Sequence, residues 1–125
     1  MTRVLVVDDD DSVRSAIEVL LLQRDCSVVL ADSGEIARTF EKSDFDVIVL
    51  DIVMPGMDGL EALKIFRERA PLLPIVVMSG FRFSGAAAGA PDFLRMASAL
   101  GANCCLRKPF TPDQLMGAIS SSICL

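Results

Sequence analysis

Short runs of apolar residues recur along the chain, and longer segments with helical spacing separate them. The runs are continuous and rich in β-branched residues, which is typical of strands buried on both faces of a parallel sheet. They cover residues 3–7 (RVLVV), 27–31 (SVVLA), 46–50 (DVIVL), 74–79 (PIVVMS) and, more weakly, 103–106 (NCCL).

Five further segments carry apolar residues three or four positions apart, as amphipathic helices do. We expect the first to begin at Asp11 or Ser12, the fourth to end at Gly101, and the fifth to have Thr111 as its cap with Pro112 in the first helical position. The segments cover residues 11–25, 33–44, 58–70, 90–101 and 111–123.

Strands that alternate with helices predict an α/β fold, in which right-handed crossovers place helices on both faces of one parallel sheet. We therefore expect five parallel strands and five helices in a single domain spanning residues 1–125. A length of 125 residues suits one domain, and an apolar fraction of 52% argues against extensive disorder.

Charge and residue usage exclude several functions. A net charge of −5 and a pI near 4.6 make the chain a poor match to nucleic acid or anionic lipid. No apolar run approaches the roughly 20 residues of a membrane span. Without histidine, Ser-His-Asp and Cys-His catalysis are impossible. The four cysteines form no C-x-x-C pair, so we expect buried free thiols and a cytoplasmic location.

Polar side chains gather where the predicted strands end. Asp8 and Asp9 follow the first strand, Asp51 follows the third, Ser79 ends the fourth, and Lys108 follows the fifth. Ligands bind beyond the carboxyl ends of the strands in such sheets. An acidic run such as residues 8–11 is by itself more often a solvated helix start, but the coincidence at one edge favours a site.

Carboxylates gathered in one crevice repel each other. Two unit charges about 4 Å apart cost about 4 kcal/mol at an effective dielectric constant near 20. Protonation, Lys108 or a divalent cation would relieve this repulsion. Ligands that are all oxygen favour Mg²⁺, and a metal beside a carboxylate, a lysine and a hydroxyl is typical of sites that handle phosphate.

The chain resembles the receiver domain of response regulators in two-component signalling, including those of the single-domain chemotaxis type. Four segments carry the resemblance in the right order and cover essentially the whole chain: VLVVDDDDSVR (4–14), DVIVLDIVMPGMDGLE (46–61), PIVVMSG (74–80) and LRKPF (106–110). The resemblance implies a doubly wound, flavodoxin-like (βα)5 fold with strand order 2-1-3-4-5.

The resemblance also implies roles for individual residues. Asp51 would accept a phosphoryl group from a histidine kinase or a histidine phosphotransfer protein, and form an aspartyl phosphate. Mg²⁺ would be held by Asp9 directly, by Asp8 through water, by Asp51 and by the backbone carbonyl of Val53.

Two residues near the acceptor complete the implied site. Ser79 would hydrogen-bond the phosphoryl group and Lys108 would pair with one of its oxygens. A cis peptide bond before Pro109 would aim the lysine.

Phosphorylation in this family switches a protein-binding face. Here that face would comprise the fourth helix, the fifth strand and the fifth helix. The output protein is unknown, and a homodimer through the same face is compatible with the sequence. Chemistry would be limited to self-catalysed phosphotransfer and slow dephosphorylation, as in a phosphorelay intermediate, so we do not expect an enzyme acting on other substrates.

Two features depart from the family pattern. Cys105 stands where an aromatic residue usually precedes the lysine by three positions, and the chain has no tyrosine. Ser79 and Lys108 are 29 positions apart, so the stretch 80–92 is longer than usual. These departures keep open an alternative, a degenerate receiver that binds proteins independently of phosphorylation.

Two other classes share part of the pattern. A haloacid-dehalogenase-like phosphohydrolase would carry a second Asp two residues after the nucleophile, where this chain has Val53. A flavodoxin-like cofactor binder would place a phosphate-binding loop after the first strand. This chain has only acids there, and they would repel the anionic phosphate of the cofactor.

Overall fold

The computed structural model describes residues 1–52, 59–80 and 93–123. Five strands form one sheet: β1 (Thr2–Val7), β2 (Cys26–Ala31), β3 (Val47–Asp51), β4 (Ile75–Ser79) and β5 (Cys104–Arg107). The described residues include four α-helices: α1 (Asp11–Leu22), α2 (Gly59–Arg69), α3 (Phe93–Ala99) and α4 (Pro112–Ile123).

The strands are all parallel and lie in the order β2-β1-β3-β4-β5. This confirms the predicted α/β fold and its strand order. Both faces of the sheet are covered, which explains why the strands have continuous apolar sequences: every residue of β3 and β4 is buried.

Two apolar cores lie on opposite faces of the sheet. The first packs α2 against the sheet around Phe66, and the second packs α1 and α4 around Leu21 and Leu115. Successive residues of one strand alternate between the two cores, as Val49 and Leu50 do.

The second predicted helix, 33–44, is wrong. The chain instead forms two short 3₁₀ segments, Gly34–Arg38 and Lys42–Asp44. The described residues therefore contain four α-helices where five were expected. Arg69 on α2 supplies a physical reason. Its Nη1 donates to the carbonyl oxygen of Ala37 at 2.8 Å, so this carbonyl has a hydrogen-bond partner without a continuous α-helix.

The ends of the other helices follow their capping residues. Asp10, rather than Asp11 or Ser12, caps α1, because its side chain accepts from two N–H groups of the first turn. Thr111 caps α4 as predicted. Its hydroxyl accepts from the Gln114 N–H at 3.1 Å, and the Gln114 side chain accepts from the Thr111 N–H at 2.8 Å.

Gly59 lets α2 begin close to the end of β3. Its N–H donates to the carbonyl of Ile52 at 3.2 Å. A β-carbon at this position would lie 2.0 Å from the Cα of Ile52 and 2.4 Å from the carbonyl oxygen of Asp51. Only glycine allows this approach.

The cysteines differ in burial, and the described helices are short. Cys26 is buried, Cys104 and Cys105 are half-buried, and Cys124 lies outside the described residues, so the expectation that the thiols are buried holds for Cys26 alone among those described. Among the helices described, none is both long and apolar enough to cross a membrane.

Candidate functional site

Asp51 is the last residue of β3 and only 5% of it is exposed. The next residue, Ile52, donates its N–H to the carbonyl of Met78 at 3.0 Å, which continues the pairing with β4 past the end of β3. Since Leu50 pairs with Val7, the acids Asp51 and Asp8 extend neighbouring strands by the same distance. The parallel register therefore brings their carboxylates to one point.

The first strand contributes two acids with different surroundings. Asp8 is fully buried, and its Oδ1 accepts from the Asp10 N–H at 2.9 Å. Asp9 is exposed. One carboxylate oxygen from each of Asp8, Asp9 and Asp51 lies within 4.8 Å of the others, so the predicted acidic cluster is present.

Lys108 joins the two buried acids. Its Nζ lies 2.7 Å from Oδ2 of Asp8 and 3.2 Å from Oδ2 of Asp51, and only 17% of its side chain is exposed. Burial opposes the charged form of Lys108. The hydrogen bond to Asp8 and the charges of both acids outweigh burial, so the pKa of Lys108 is raised. The expected cis bond between Lys108 and Pro109 is present.

Ser79 is the last residue of β4 and is 5% exposed. Because β4 lies next to β3 in the sheet, Ser79 is on the strand adjacent to the one that ends in Asp51. Its carbonyl oxygen accepts from the Lys108 N–H at 2.8 Å. This backbone bond fixes the position of Lys108 relative to the end of β4.

The oxygen atoms at this edge fit a hard divalent cation. Both oxygens of Asp8 already accept hydrogen bonds, from Asp10 and Lys108, which suits an indirect role. Within the described ranges, no hydrogen bond or ion pair is found for the exposed carboxylate of Asp9, which suits a direct ligand. Val53, the expected backbone ligand, lies outside the described residues.

Sequence reasoning missed two residues that shape this edge. Asp10 caps α1 and donates its N–H to Asp8, and Arg14 donates to the carbonyl of Asp8 at 2.7 Å. A pair of opposite charges three positions apart, Asp11 and Arg14, was the signal in the sequence that could have drawn attention to Arg14.

Of the two departures from the family pattern, Cys105 is described by the structure and the long stretch 80–92 is almost entirely not. Cys105 is half-buried in β5, where it pairs with Val77 and packs against the core that contains Phe66. The long stretch 80–92 lies outside the described residues apart from Gly80.

Comparison with known proteins assigns the family. The family model of the response regulator receiver domain matches residues 4–120. The chain therefore belongs to the response regulator receiver domain family, whose members are signalling modules of two-component systems.

Individual relatives agree with this assignment. The cell cycle response regulator CtrA of Brucella ovis is 33% identical over 122 residues, which cover 97% of this chain and 50% of that protein. The chain thus spans about half the length of the curated relatives it matches.

Solved structures agree as well. The chemotaxis protein CheY4 of Vibrio cholerae superposes with a TM-score of 0.82 at 30% identity, covering 98% of each chain. A receiver domain protein of Clostridium thermocellum gives a TM-score of 0.86 at 28% identity, covering 98% of this chain and 94% of that one.

Proposed function

We propose that this chain is a phosphoacceptor switch, in which Asp51 receives a phosphoryl group in a Mg²⁺-dependent reaction. One observation carries the proposal: the buried Asp51 carboxylate lies 3.2 Å from Lys108 and forms an oxygen cluster with Asp8 and Asp9. This arrangement combines a nucleophile, a fixed cation and oxygen ligands in one crevice.

The reaction begins when a phosphohistidine on a partner protein approaches the open edge of the sheet. A carboxylate oxygen of Asp51 attacks the phosphorus, the new O–P bond forms, and the P–N bond breaks with its electron pair returning to the imidazole. Lys108 pairs with one phosphoryl oxygen and the hydroxyl of Ser79 donates to another. Their contribution is to neutralise charge on the transferring group.

Mg²⁺ would be held by Asp9 and Asp51, with Asp8 in support, and when bound would supply further positive charge for the phosphoryl oxygens. The carbonyl of Val53 is proposed as a further ligand. Asp8 and Lys108 have a second task, because their ion pair keeps the lysine at the site before the phosphoryl group arrives.

Phosphorylation is proposed to alter a protein-binding face formed by α3, β5 and α4. The donor is a histidine kinase or a histidine phosphotransfer protein, as membership of the family implies. Hydrolysis of the aspartyl phosphate by water then resets the switch. Because Lys108 directly follows the last residue of β5, a change in its contacts acts on this face first. The free thiols of Cys26 and Cys104 and the family suit a cytoplasmic location.

The test is intact mass spectrometry after incubation with Mg²⁺ and acetyl phosphate. We expect the wild type to gain one phosphoryl group and to lose this gain without Mg²⁺ or in Asp51→Asn. Asp44→Asn is the matched control and should be phosphorylated normally, because Asp44 is exposed and precedes β3, at the opposite end of that strand from Asp51.

Cys105 favours one second candidate, a receiver that binds its partners without phosphorylation. Its side chain cannot act as the aromatic reporter that the family usually has at this position. A folded wild type that binds Mg²⁺ but gains no mass from acetyl phosphate would support this candidate and refute the phosphoacceptor proposal.

A further inference from the structure

Arg14 reaches back from α1 to the turn that joins β1 to α1. Its Nη1 donates to the carbonyl oxygen of Asp8 at 2.7 Å, and its Nη2 donates to the carboxylate of Asp11. Only 15% of its side chain is exposed. The two contacts use both arms of the planar guanidinium and so fix its orientation.

These contacts bear on Asp9, which lies between two peptide groups that are both held by hydrogen bonds. Arg14 holds the Asp8–Asp9 peptide through its carbonyl, and Oδ1 of Asp8 holds the Asp9–Asp10 peptide through its N–H at 2.9 Å. The N–H of Asp8 is itself anchored on the carbonyl of Ala31 at 3.1 Å. Since each residue has only two soft backbone torsions, holding both flanking peptide planes fixes the direction of the Cα–Cβ bond from which the Asp9 carboxylate extends.

We propose that Arg14 is a positioning residue that orients Asp9 for Mg²⁺ binding through its hydrogen bond to the Asp8 carbonyl. The inference rests on the proposed function, because it takes Asp9 to be a direct ligand. Hydrogen-bond partners that orient metal ligands typically contribute about 10- to 100-fold to metal affinity. Arg14 contacts the backbone beside the ligand, so we expect the lower end of this range.

The charge of Arg14 acts in the opposite direction. A cation near the cluster repels a second cation, so losing the charge alone would strengthen Mg²⁺ binding. Arg14→Lys keeps the charge but lacks the planar fork, and its single nitrogen cannot make both contacts in the same geometry. Arg14→Met removes both the charge and the fork.

The test measures the Mg²⁺ dissociation constant of the full chain by isothermal titration calorimetry. We expect binding about 10-fold weaker in Arg14→Lys and weaker than wild type in Arg14→Met. Arg24→Lys is the matched control, because Arg24 is exposed and its ion pair with Asp113, at 3.5 Å, lies on the surface. Its affinity should equal that of the wild type.

A second measurement separates positioning from general damage to the fold. Urea unfolding without Mg²⁺ reports the stability of each variant. In an Asp9→Asn background, Arg14→Lys should cause no further loss of Mg²⁺ affinity, because the residue through which it acts is already absent. An additive loss in that background would contradict the proposal.

The outcomes distinguish the two proposals. Wild-type affinity in Arg14→Lys, or tighter binding in Arg14→Met, would overturn the role of Arg14 while leaving the phosphoacceptor proposal intact. A wild type that binds no Mg²⁺ would overturn both.

Discussion

At the scale of single residues, Asp8 shows how the site balances charge. It is fully buried, which would be costly for an isolated carboxylate, yet both of its oxygens accept hydrogen bonds. One of the donors is the ammonium of Lys108, which also serves Asp51. The lysine therefore stabilises two acids that would otherwise repel each other.

Lys108→Met should lower the free energy of unfolding by about 2 kcal/mol, since it leaves a buried carboxylate without its charged partner. The same variant should bind Mg²⁺ more tightly than the wild type, because no ammonium competes for the carboxylate oxygens. Urea unfolding with and without Mg²⁺ measures both effects. Unchanged stability, or weaker Mg²⁺ binding, would show that Lys108 does not offset the acidic charge.

A second ion pair predicts a dependence of stability on pH. The guanidinium of Arg3 donates to the carboxylate of Asp46, and the backbone N–H of Arg3 donates to the same carboxylate at 2.8 Å. Together these bonds lower the pKa of Asp46. A carboxyl whose pKa is lower in the folded state stabilises the fold above its unfolded pKa, about 3.9. This contribution disappears as the pH falls through the folded pKa.

We therefore expect Asp46→Asn to be less stable than the wild type at pH 7 and pH 5 by the same amount. The difference should shrink below about pH 4, where the wild-type carboxyl becomes protonated in the unfolded and then in the folded chain. Urea unfolding at pH 7, 5 and 3.5 provides the comparison, with Asp113→Asn as an exposed control. A difference that stays constant down to pH 3.5 would contradict the ionic role.

The sequence indicated which residue types gather at the site, but not all the contacts that orient them. Strand ends at one edge predicted that Asp8, Asp51 and Lys108 would meet, and they do. The bond from Arg14 to a backbone carbonyl depends on the path of a turn and on a side-chain rotamer. Neither of these leaves a periodic pattern in the sequence.

At the scale of elements, Gly59 and Gly117 differ in the space around them, so alanine should have opposite effects at the two positions. A β-carbon on Gly59 would overlap the backbone of Ile52, whereas one on Gly117 in α4 meets no atom within 4 Å. Gly59→Ala should destabilise the fold by about 2 kcal/mol, because packed backbone must move. Gly117→Ala should stabilise it by about 0.5–1 kcal/mol, because alanine favours the helix.

Thermal unfolding of both variants tests this contrast. Gly59→Ala should also be phosphorylated more slowly, since the overlap reaches the carbonyl of Asp51. Equal stability changes in the two variants would show that the start of α2 can shift without cost.

The segment 33–44 shows where element prediction failed. Its apolar spacing is helical, and Ser33 does cap its start. The bond from Arg69 to the Ala37 carbonyl comes from a residue 32 positions away. A local pattern cannot reveal a distant donor that satisfies a carbonyl outside an α-helix, so tertiary structure overrode the periodicity.

At the scale of the whole molecule, the net charge of −5 raises the question of whether Mg²⁺ acts as a general counterion or at one site. A specific site stabilises the fold by about 2.7 kcal/mol when Mg²⁺ is present at 100 times its dissociation constant. NaCl at equal ionic strength would provide only screening.

We expect Mg²⁺ to raise the melting temperature more than NaCl at matched ionic strength, and Asp9→Asn to reduce the excess. Differential scanning calorimetry measures the shift, with Asp32→Asn as a control at an exposed acid after β2. Equal shifts in the two salts would indicate general screening and contradict a specific site.

The strand-spanning position of Lys108 has one more consequence. Its ammonium contacts acids that follow β1 and end β3, and its backbone N–H bonds to the last residue of β4. A single residue at the end of the edge strand thus senses the total negative charge on two inner strands. A reaction that changes the charge on Asp8 or Asp51 would change the electrostatic attraction on Lys108, which directly follows β5. On the proposed function, the outer edge of the sheet would therefore register a change of charge at its centre through one lysine.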